Sequence, residues 1–356
     1  MRLLFLGVHD RDRSPSQRYR FEAFEPHLRS RGIEVTYAGV LTTDEARDFY
    51  GAVSPLRKGR IAARALVRRA TSLLRPADVV FVQREAFFLL NHWSEWLAHL
   101  RAPVVFDFDD AIWIHAISEA NRRFAFLKNV EKIPRVVGLS HTVIAGNEYL
   151  ATEARKWVEP HRVTIIPTCV DVAKYPTSVP RNATGLQLVW VGSSSTLRGL
   201  EQFLPTLSAI GRAVPGMRLK LLCDRFIEIP DLPVDQCLWS EATEPAEIAS
   251  ADVGIGWVPD DPWSRGKCGL KVLQYQAAGL PVVANPVGVQ ADFVHNGVTG
   301  FQATTTEEWV NAIRHLASNE SARRHMGEEC RRQVEAGFSV EAGAAMWMDV
   351  LQPLAV

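Results

Sequence analysis

Residues 265–288 read RGKCGLKVLQYQAAGLPVVANPVG. An apolar run, Pro281–Ala284, follows a stretch of helical composition, and Lys267 and Lys271 flank the start of that predicted helix. A helix N-terminus already carries partial positive charge, so added cations are unfavourable there unless an anion binds. The segment therefore predicts a loop, helix and strand of an α/β fold with an anion site at the loop. Solvated surface lysines are the plainer alternative.

Apolar runs of strand length alternate with helical patterns along the chain. Those of the first half are Leu3–Val8, Val35–Val40, Val79–Gln83, Val104–Asp107 and Val143–Ala145, and those of the second half are Leu188–Gly192, Leu219–Cys223, Val253–Val258 and Pro281–Ala284. Continuous apolar strands separated by helices predict parallel sheets covered on both faces. Two such sets predict two doubly wound domains, with ligand sites at the carboxyl ends of the strands.

The length of 356 residues exceeds one ordinary hydrophobic core. We predict an N-terminal Rossmann-like domain over 1–172 and a C-terminal one over 187–338. A linker over 173–186 joins them, and a final helix within 339–356 follows. The prolines between Ile166 and Gly185 favour the linker, because proline interrupts regular structure.

Composition excludes several functional classes. Lysine plus arginine and aspartate plus glutamate both number 40, so no overall charge indicates nucleic acid as a partner. The five cysteines show no CxxC spacing, which argues against a zinc site or a disulfide framework and favours a reducing compartment. The apolar start leads into a charged segment rather than a signal-peptide cleavage site, and no apolar run reaches the roughly 20 residues that cross a bilayer. We expect a cytoplasmic location.

A second candidate phosphate loop follows the first strand of the second half. Val191–Gly199 reads VGSSSTLRG, in which small residues allow backbone N–H groups to approach a phosphate and Arg198 adds charge. An ordinary capped helix start has the same composition. The diphosphate-binding residues that we predict from the two loops are Gly192, Ser193, Ser194, Thr196, Arg198, Lys267 and Lys271.

Polar residues also follow strands in the first half. His9–Arg20 is rich in arginine and contains Ser16, Arg18 and Arg20, which we predict to contact donor or acceptor; a hydrophilic first loop is the alternative. Asp107–Asp110 ends the fourth strand, and clustered carboxylates there fit sugar hydroxyls, a metal ion or helix capping. No second ligand cluster is visible in the sequence, so we expect no metal and no cofactor.

Residues 56–74 predict a helix with a stripe of arginines. Arg57, Arg60, Arg64 and Arg68 recur at helical spacing. Such a stripe suits reversible contact with an anionic membrane surface, and a solvated basic face would look the same.

These motifs resemble those of the family-four retaining glycosyltransferases with the GT-B fold. In the second half the likeness lies in 190–199, 251–256, 266–284 and 296–301; in the first it lies in SQRYR at 16–20 and FDFDDAIW at 106–113. The resemblance covers nearly the whole chain. It implies two Rossmann-like domains facing a central crevice, a nucleotide-sugar donor in the C-terminal domain and a final helix that crosses back to the N-terminal domain.

The resemblance also assigns roles to single residues. The family's diphosphate-binding lysine falls on Arg198 and its arginine on Ser193, a lost charge that Lys267 and Lys271 would replace. Its two donor-binding glutamates fall on Gly266 and Gln274. The donor-binding residues implied are Gly269, Leu270, Gln274 and Asp292, and those that orient the sugar or the acceptor hydroxyl are Asp109, Asp110 and His115.

The function implied is retaining, metal-independent sugar transfer. The acceptor would be lipid-linked or a glycan, in cell-surface polysaccharide or glycoconjugate biosynthesis, and the enzyme would be peripheral on the inner face of the plasma membrane. The departures at Gly266 and Gln274 favour a second reading, a non-catalytic nucleotide-sugar-binding homologue. A third reading is a nucleotide-sugar epimerase, although 266–274 lacks the acid–base carboxylates that it would need.

Overall fold

The structure, a computed structural model, describes residues 1–51, 53–89, 91–114, 130–177 and 185–354. The chain divides into two compact units. Unit 1 comprises Met1–Thr168, Gly266–Cys268 and Gly343–Val356, and unit 2 comprises Cys169–Arg265 and Gly269–Ala342. Each unit is built on a six-stranded sheet of parallel strands.

The sheet of unit 1 has the strand order β2-β1-β3-β4-β5-β6. Its strands are β1 (Arg2–Leu6), β2 (Glu34–Ala38), β3 (Val79–Gln83), β4 (Val104–Phe108), β5 (Thr142–Ala145) and β6 (Val163–Ile165). The sheet of unit 2 has the order β12-β11-β10-β7-β8-β9. Its strands are β7 (Gln187–Val191), β8 (Arg218–Cys223), β9 (Val234–Leu238), β10 (Val253–Gly256), β11 (Val282–Ala284) and β12 (Gly300–Gln302).

Helices connect the strands. Those before residue 160 are α1 (Pro15–Gln17), α2 (Glu25–Ser30), α3 (Thr43–Tyr50), α4 (Pro55–Ser72), α5 (Trp93–His99), α6 (Lys132–Leu139) and α7 (Glu148–Ala154), with a π-helical turn at Arg18–Glu22. Those of the second half are α8 (Ser194–Gln202), α9 (Leu204–Ala213), α10 (Glu244–Ala249), α11 (Pro262–Arg265), α12 (Leu270–Ala277), α13 (Gln290–Phe293), α14 (Thr306–Ser318), α15 (Glu320–Gly337) and α16 (Val340–Leu351).

The predicted doubly wound α/β architecture is confirmed, and each predicted strand is present, β3 with the predicted bounds and the others with slightly different ones. β3, β4 and β7 are buried along their whole length because helices cover both faces of the sheet. Three strands were not predicted: β6, β9 and β12, each of which lies at an edge of its sheet.

The point where the chain reverses its direction of winding lies near the middle of each sheet. In unit 1, β2 and β3 lie on opposite sides of β1; in unit 2, β8 and β10 lie on opposite sides of β7. The crevices between β1 and β3 and between β7 and β10 are therefore topological switch points, where doubly wound folds bind ligands at the carboxyl ends of the strands.

The last helix, α16, contributes to the core of unit 1 through Trp347. Its fully buried ring lies 4.8 Å from the ring of Phe81 and 5.5 Å from that of Phe24, measured between centroids. Aromatic contacts at these distances contribute beyond simple area burial. Because Trp347 completes this core, shortening α16 is expected to destabilise unit 1.

Candidate functional site

The loop after β7 leaves no room for a side chain at Gly192. A Cβ there would overlap the Trp190 ring and lie 2.7 Å from the Thr196 hydroxyl. Ser193 follows as the extended N-cap of α8, and its N–H donates to the Thr196 hydroxyl at 3.1 Å. The predicted small-residue loop and helix start are thus both present, and their tightness explains the glycine.

Asp224, which the sequence analysis missed, occupies part of this helix start. The backbone N–H of Ser194 donates to its carboxylate at 2.6 Å, and the Ser194 hydroxyl donates at 2.9 Å. Partial burial raises the pKa of Asp224, but the bonds from Ser194 outweigh it, so that the pKa lies below its usual value. The Ser194 N–H therefore already donates to the carboxylate of Asp224. A phosphate bound at this loop would need hydrogen bonds and charge from other groups near the start of α8.

Lys271 brings the two predicted phosphate loops together. From the first turn of α12, its ammonium lies 3.9 Å from the centroid of the buried Trp190 ring and 3.4 Å from the Thr196 hydroxyl. Gly269 precedes α12 in the left-handed conformation (φ 65°), which favours glycine. An ammonium, a hydroxyl and the start of α8 thus meet at the switch point between β7 and β10.

Lys267 lies in a different group of contacts. Gly266–Cys268 packs in unit 1, where the Asn147 side-chain amide donates to the carbonyls of Gly266 (3.1 Å) and Lys267 (3.2 Å). A Cβ at Gly266 would lie 2.9 Å from that of Ala111, which excludes a glutamate in this conformation. The Cys268 thiol donates to the Asp109 carbonyl at 3.2 Å, and burial raises the pKa of Cys268 to about 12, so it stays protonated.

The remaining predicted donor residues differ in exposure. Gln274 is buried, and its side-chain amide donates to Glu244 at 2.5 Å and to the Tyr175 hydroxyl at 3.0 Å. Glu244, also missed from sequence, accepts a further bond from the Trp239 indole. Leu270 is half-buried in the first turn of α12, whereas Arg198 on α8 and Asp292 on α13 are exposed.

Arg20 does not line the predicted ligand loop. Its guanidinium is fully buried, pairs with the buried Asp107 carboxylate and donates to the Ile166 carbonyl at 2.7 Å. Burial raises the pKa of Asp107 to about 6 even though Arg20 opposes that shift. The prediction of ligand contact is corrected for Arg20, because it serves the interior of unit 1. Arg18 is half-buried beside the Tyr19 ring.

Asp109 and Asp110 share an arginine that the sequence analysis missed. The Arg84 side chain donates to Asp109 at 2.8 Å and forms an ion pair with Asp110, while the Ser16 hydroxyl donates to Asp109 at 2.5 Å. Arg84 follows β3 with φ 61°, a conformation that is uncommon outside glycine. Strained backbone of this kind clusters at functional sites.

The carboxylates of the acidic cluster are compensated by arginine side chains. Burial raises the pKa of Asp109, yet Arg84, Arg20 and Ser16 together leave it below its usual value, so the carboxylate is ionised. Within the described residues, no group of three or more histidine, cysteine, aspartate or glutamate side chains could hold a metal ion. His115, the remaining predicted catalytic residue, lies outside the described residues.

The predicted helix at 56–74 is α4, and most of its arginine stripe is paired. Arg57 forms an ion pair with Asp48, Arg68 forms one with Glu45, and Arg64 reaches Glu45 at 3.4 Å. Arg68 lowers the pKa of Glu45 to about 2. Among the parts of the chain that the structure describes, no helix has the length and apolar character to span a membrane.

Comparison with known proteins agrees with this architecture. Residues 262–333 match the family model described as "Glycosyl transferases group 1". The chain is 23% identical over 240 residues to a D-inositol 3-phosphate glycosyltransferase of Nocardia farcinica, an alignment that covers 59% of this chain and 53% of that protein. The chain thus spans about half the length of that curated relative.

Solved structures resemble nearly the whole chain at low identity. A sucrose-phosphate synthase from Thermosynechococcus elongatus has a TM-score of 0.71 at 16% identity, covering 99% of this chain and 98% of its own. Anabaena HepE, in complex with UDP and glucose, has a TM-score of 0.68 at 16% identity, covering 99% and 100%. WaaG, a glycosyltransferase involved in lipopolysaccharide biosynthesis, has a TM-score of 0.61 at 12% identity, covering 98% and 99%. The fold is GT-B, and the family match supports a glycosyltransferase.

Proposed function

We propose that this chain is a retaining glycosyltransferase that transfers a sugar from a nucleotide-diphosphate donor. The observation that carries the proposal is the meeting of Lys271, Thr196 and the start of α8 at the switch point of the second sheet. A fixed ammonium and helix N-termini stabilise the negative charge that develops on a departing diphosphate. Arg198 and Lys267 are the additional cations that we assign to the donor.

UDP is the nucleotide that we propose first. HepE, which shares the fold, has been solved with UDP and with UDP-glucose. In this chain we assign the nucleoside to the surroundings of Gly269, Leu270 and Asp292. Gln274 would reach a ribose hydroxyl only by exchanging one of its bonds to Glu244 and Tyr175.

We assign the acceptor hydroxyl to Asp109 and Asp110. Carboxylates are strong hydrogen-bond acceptors for sugar hydroxyls, and Arg84 and Ser16 fix the orientation of Asp109. Because Arg84 already compensates both carboxylates, we propose that transfer needs no metal. His115 is assigned the same task by resemblance alone. Retention would follow from front-face displacement without a protein nucleophile.

The acceptor proposed is lipid-linked or a glycan, in the synthesis of cell-surface polysaccharides or glycoconjugates, by an enzyme in the cytoplasm at the membrane. WaaG, which shares the fold, is involved in lipopolysaccharide biosynthesis. A non-catalytic nucleotide-sugar-binding homologue is the second candidate. It is favoured by the lack of space for a glutamate at Gly266 and by the buried, bonded amide of Gln274.

The experiment is incubation of the purified chain with UDP-, GDP- and dTDP-sugars, followed by mass spectrometry. We expect slow donor hydrolysis without acceptor and glycosylated product with lipid or glycan acceptors, for one nucleotide class. Conversion of one nucleotide-sugar into its epimer would indicate the third reading. Nucleotide binding with no turnover of any donor would favour the non-catalytic homologue, and neither binding nor turnover would contradict the proposal.

A further inference from the structure

Helix α4 has a buried face and, on its opposite side, an apolar face that points outward. Its buried residues are Ile61, Ala65, Arg69 and Ser72. At 3.6 residues per turn, the opposite side of the helix and of the turn that follows it carries the outer stripe, which we define as Leu56, Ala63, Val67, Ala70 and Leu74. Leu56, Val67 and Leu74 are 68%, 62% and 71% exposed. An aligned apolar stripe on an outer face is unusual for a surface helix, which ordinarily turns polar residues to solvent.

Basic residues flank the outer stripe on one side. Arg60 is exposed and, within the described residues, forms no ion pair; Arg64 is 64% exposed and reaches Glu45 only at 3.4 Å. Arg57 and Arg68 are instead engaged with Asp48 and Glu45. The positive charge that α4 offers to an external partner is therefore concentrated next to the apolar stripe.

Further exposed apolar residues lie near the C-terminal ends of α4 and α5. Leu73 and Arg75 at the end of α4 and Arg101 and Ala102 after α5 line one cavity of about 130 Å³, and Leu74 and Leu100 are next to them in the sequence. Leu100 is 60% exposed and Trp96 is 47% exposed. Arg75 and Arg101 line the same cavity, so arginines again lie close in sequence to exposed apolar side chains.

We propose that the outer stripe of α4 docks the protein on an anionic lipid surface. Apolar side chains on one face with arginines along the border are the features of helices that lie in the membrane interface, where the apolar groups enter the acyl boundary and the guanidinium groups meet headgroup phosphates. A second copy fits less well, because a two-fold pairing of α4 would place Arg60 and Arg64 of both copies side by side. The inference rests on the proposed function in one respect: a lipid-borne acceptor is what would make membrane docking useful to the enzyme.

The test is flotation of the full chain with vesicles of phosphatidylcholine alone or with about 30% phosphatidylglycerol at low salt. The first variant carries Leu56→Gln, Val67→Gln and Leu74→Gln; these side chains are exposed, so stability should change little. The matched control is Leu238→Gln, which alters a leucine of unit 2 that is 69% exposed. A second variant carries Arg60→Gln and Arg64→Gln, with the paired Arg57→Gln as its control.

We expect the wild type to float with the anionic vesicles, the triple variant to lose at least tenfold in partitioning, and Leu238→Gln to behave as wild type. The Arg60/Arg64 variant should lose more binding than Arg57→Gln. Absence of wild-type binding, or equal binding by the triple variant, would overturn the inference. The inference would also be overturned if the wild type were a dimer that binds no vesicles and the triple variant were a monomer. UDP titration of the same preparations tests the proposed donor site independently. UDP binding without vesicle binding would overturn only the membrane inference, whereas vesicle binding without UDP binding would count only against the donor site.

Discussion

The two switch points of the molecule hold their charges in different ways. In unit 1 the carboxylates in the last part of β4 and just after it are compensated by arginines from elsewhere in the unit: Arg20 binds Asp107, and Arg84 binds Asp109 and Asp110. In unit 2 the lysine after β10 lies against an aromatic ring and a hydroxyl at the start of a helix. The first arrangement suits neutral hydroxyl groups, whereas the second suits an anion.

The largest effect should follow from breaking the buried pair of unit 1. Arg20→Ala leaves the Asp107 carboxylate uncompensated in the interior, so we expect a loss of about 3–5 kcal/mol in the free energy of unfolding. Urea denaturation measures it. Arg13→Ala, at an exposed position of the same loop, is the control and should lose less than about 0.5 kcal/mol. Equal stability of both variants would mean that Arg20 is not the structural residue described above.

Gly192→Ala tests the tightness of the loop in unit 2. The added methyl must displace the Trp190 ring or the Thr196 hydroxyl, so we expect a loss of about 1–3 kcal/mol in stability and at least tenfold in UDP affinity. Gly199→Ala on α8 is the matched control, since its Cβ would lie 3.7 Å from Pro259, an ordinary contact. Thermal melts and calorimetry report the two quantities. Unchanged UDP affinity in Gly192→Ala would remove this loop from the site.

A smaller effect concerns the ion pairs between α3 and α4. The pKa of Glu45 is lowered to about 2, chiefly by Arg68, so the pair stabilises the fold above the ordinary pKa of 4.5 and loses that contribution as pH falls from there towards 2. Because Arg68 is partly exposed and solvent screens the pair, we expect Glu45→Gln to cost only about 1 kcal/mol at pH 7. The difference in unfolding free energy between wild type and variant should shrink near pH 3. A difference that is constant with pH would contradict this.

The smallest effect is expected from metal removal. If Arg84 supplies the positive charge beside Asp109 and Asp110, EDTA should leave the rate of sugar transfer nearly unchanged. The assay compares treated enzyme with and without added Mn²⁺ or Mg²⁺. Strong loss with EDTA and recovery with a divalent ion would show that the acidic cluster needs a metal in addition to its arginine.

The sequence predicted every inner strand of the two sheets and one of the four edge strands, β2. Central strands such as β3 and β7 are continuous apolar runs because both faces are covered. β9 contains Asp235 and Gln236 and is only partly buried, and β12 has three residues, so neither carries an apolar strand pattern. An edge strand has a neighbour on one side alone, which relaxes the demand for apolar residues at both faces.

The candidate site was also predicted only in part: its loops were predictable, and the residues that contact them were not. The loops were predictable because in this fold they follow apolar strands, whose carboxyl ends share one edge of the sheet. The partners inside the site were not: Arg84 lies 25 residues from Asp109 and Asp224 lies 30 from Ser194, and the pairing of β3 with β4 and of β7 with β8 brings them together. The burial of Arg20 was missed because its ion-pair partner Asp107 lies 87 residues away in the sequence, in the central strand β4.

The most direct test of the contrast between the two switch points is calorimetric titration of wild type and Lys271→Ala with UDP and with uridine. A charge-assisted contact to phosphate contributes about 1.5–3 kcal/mol, so Lys271→Ala should weaken UDP binding by about 10- to 100-fold and leave uridine binding nearly unchanged. Equal weakening of both ligands, or no weakening of UDP, would contradict the assignment of an anion site to unit 2.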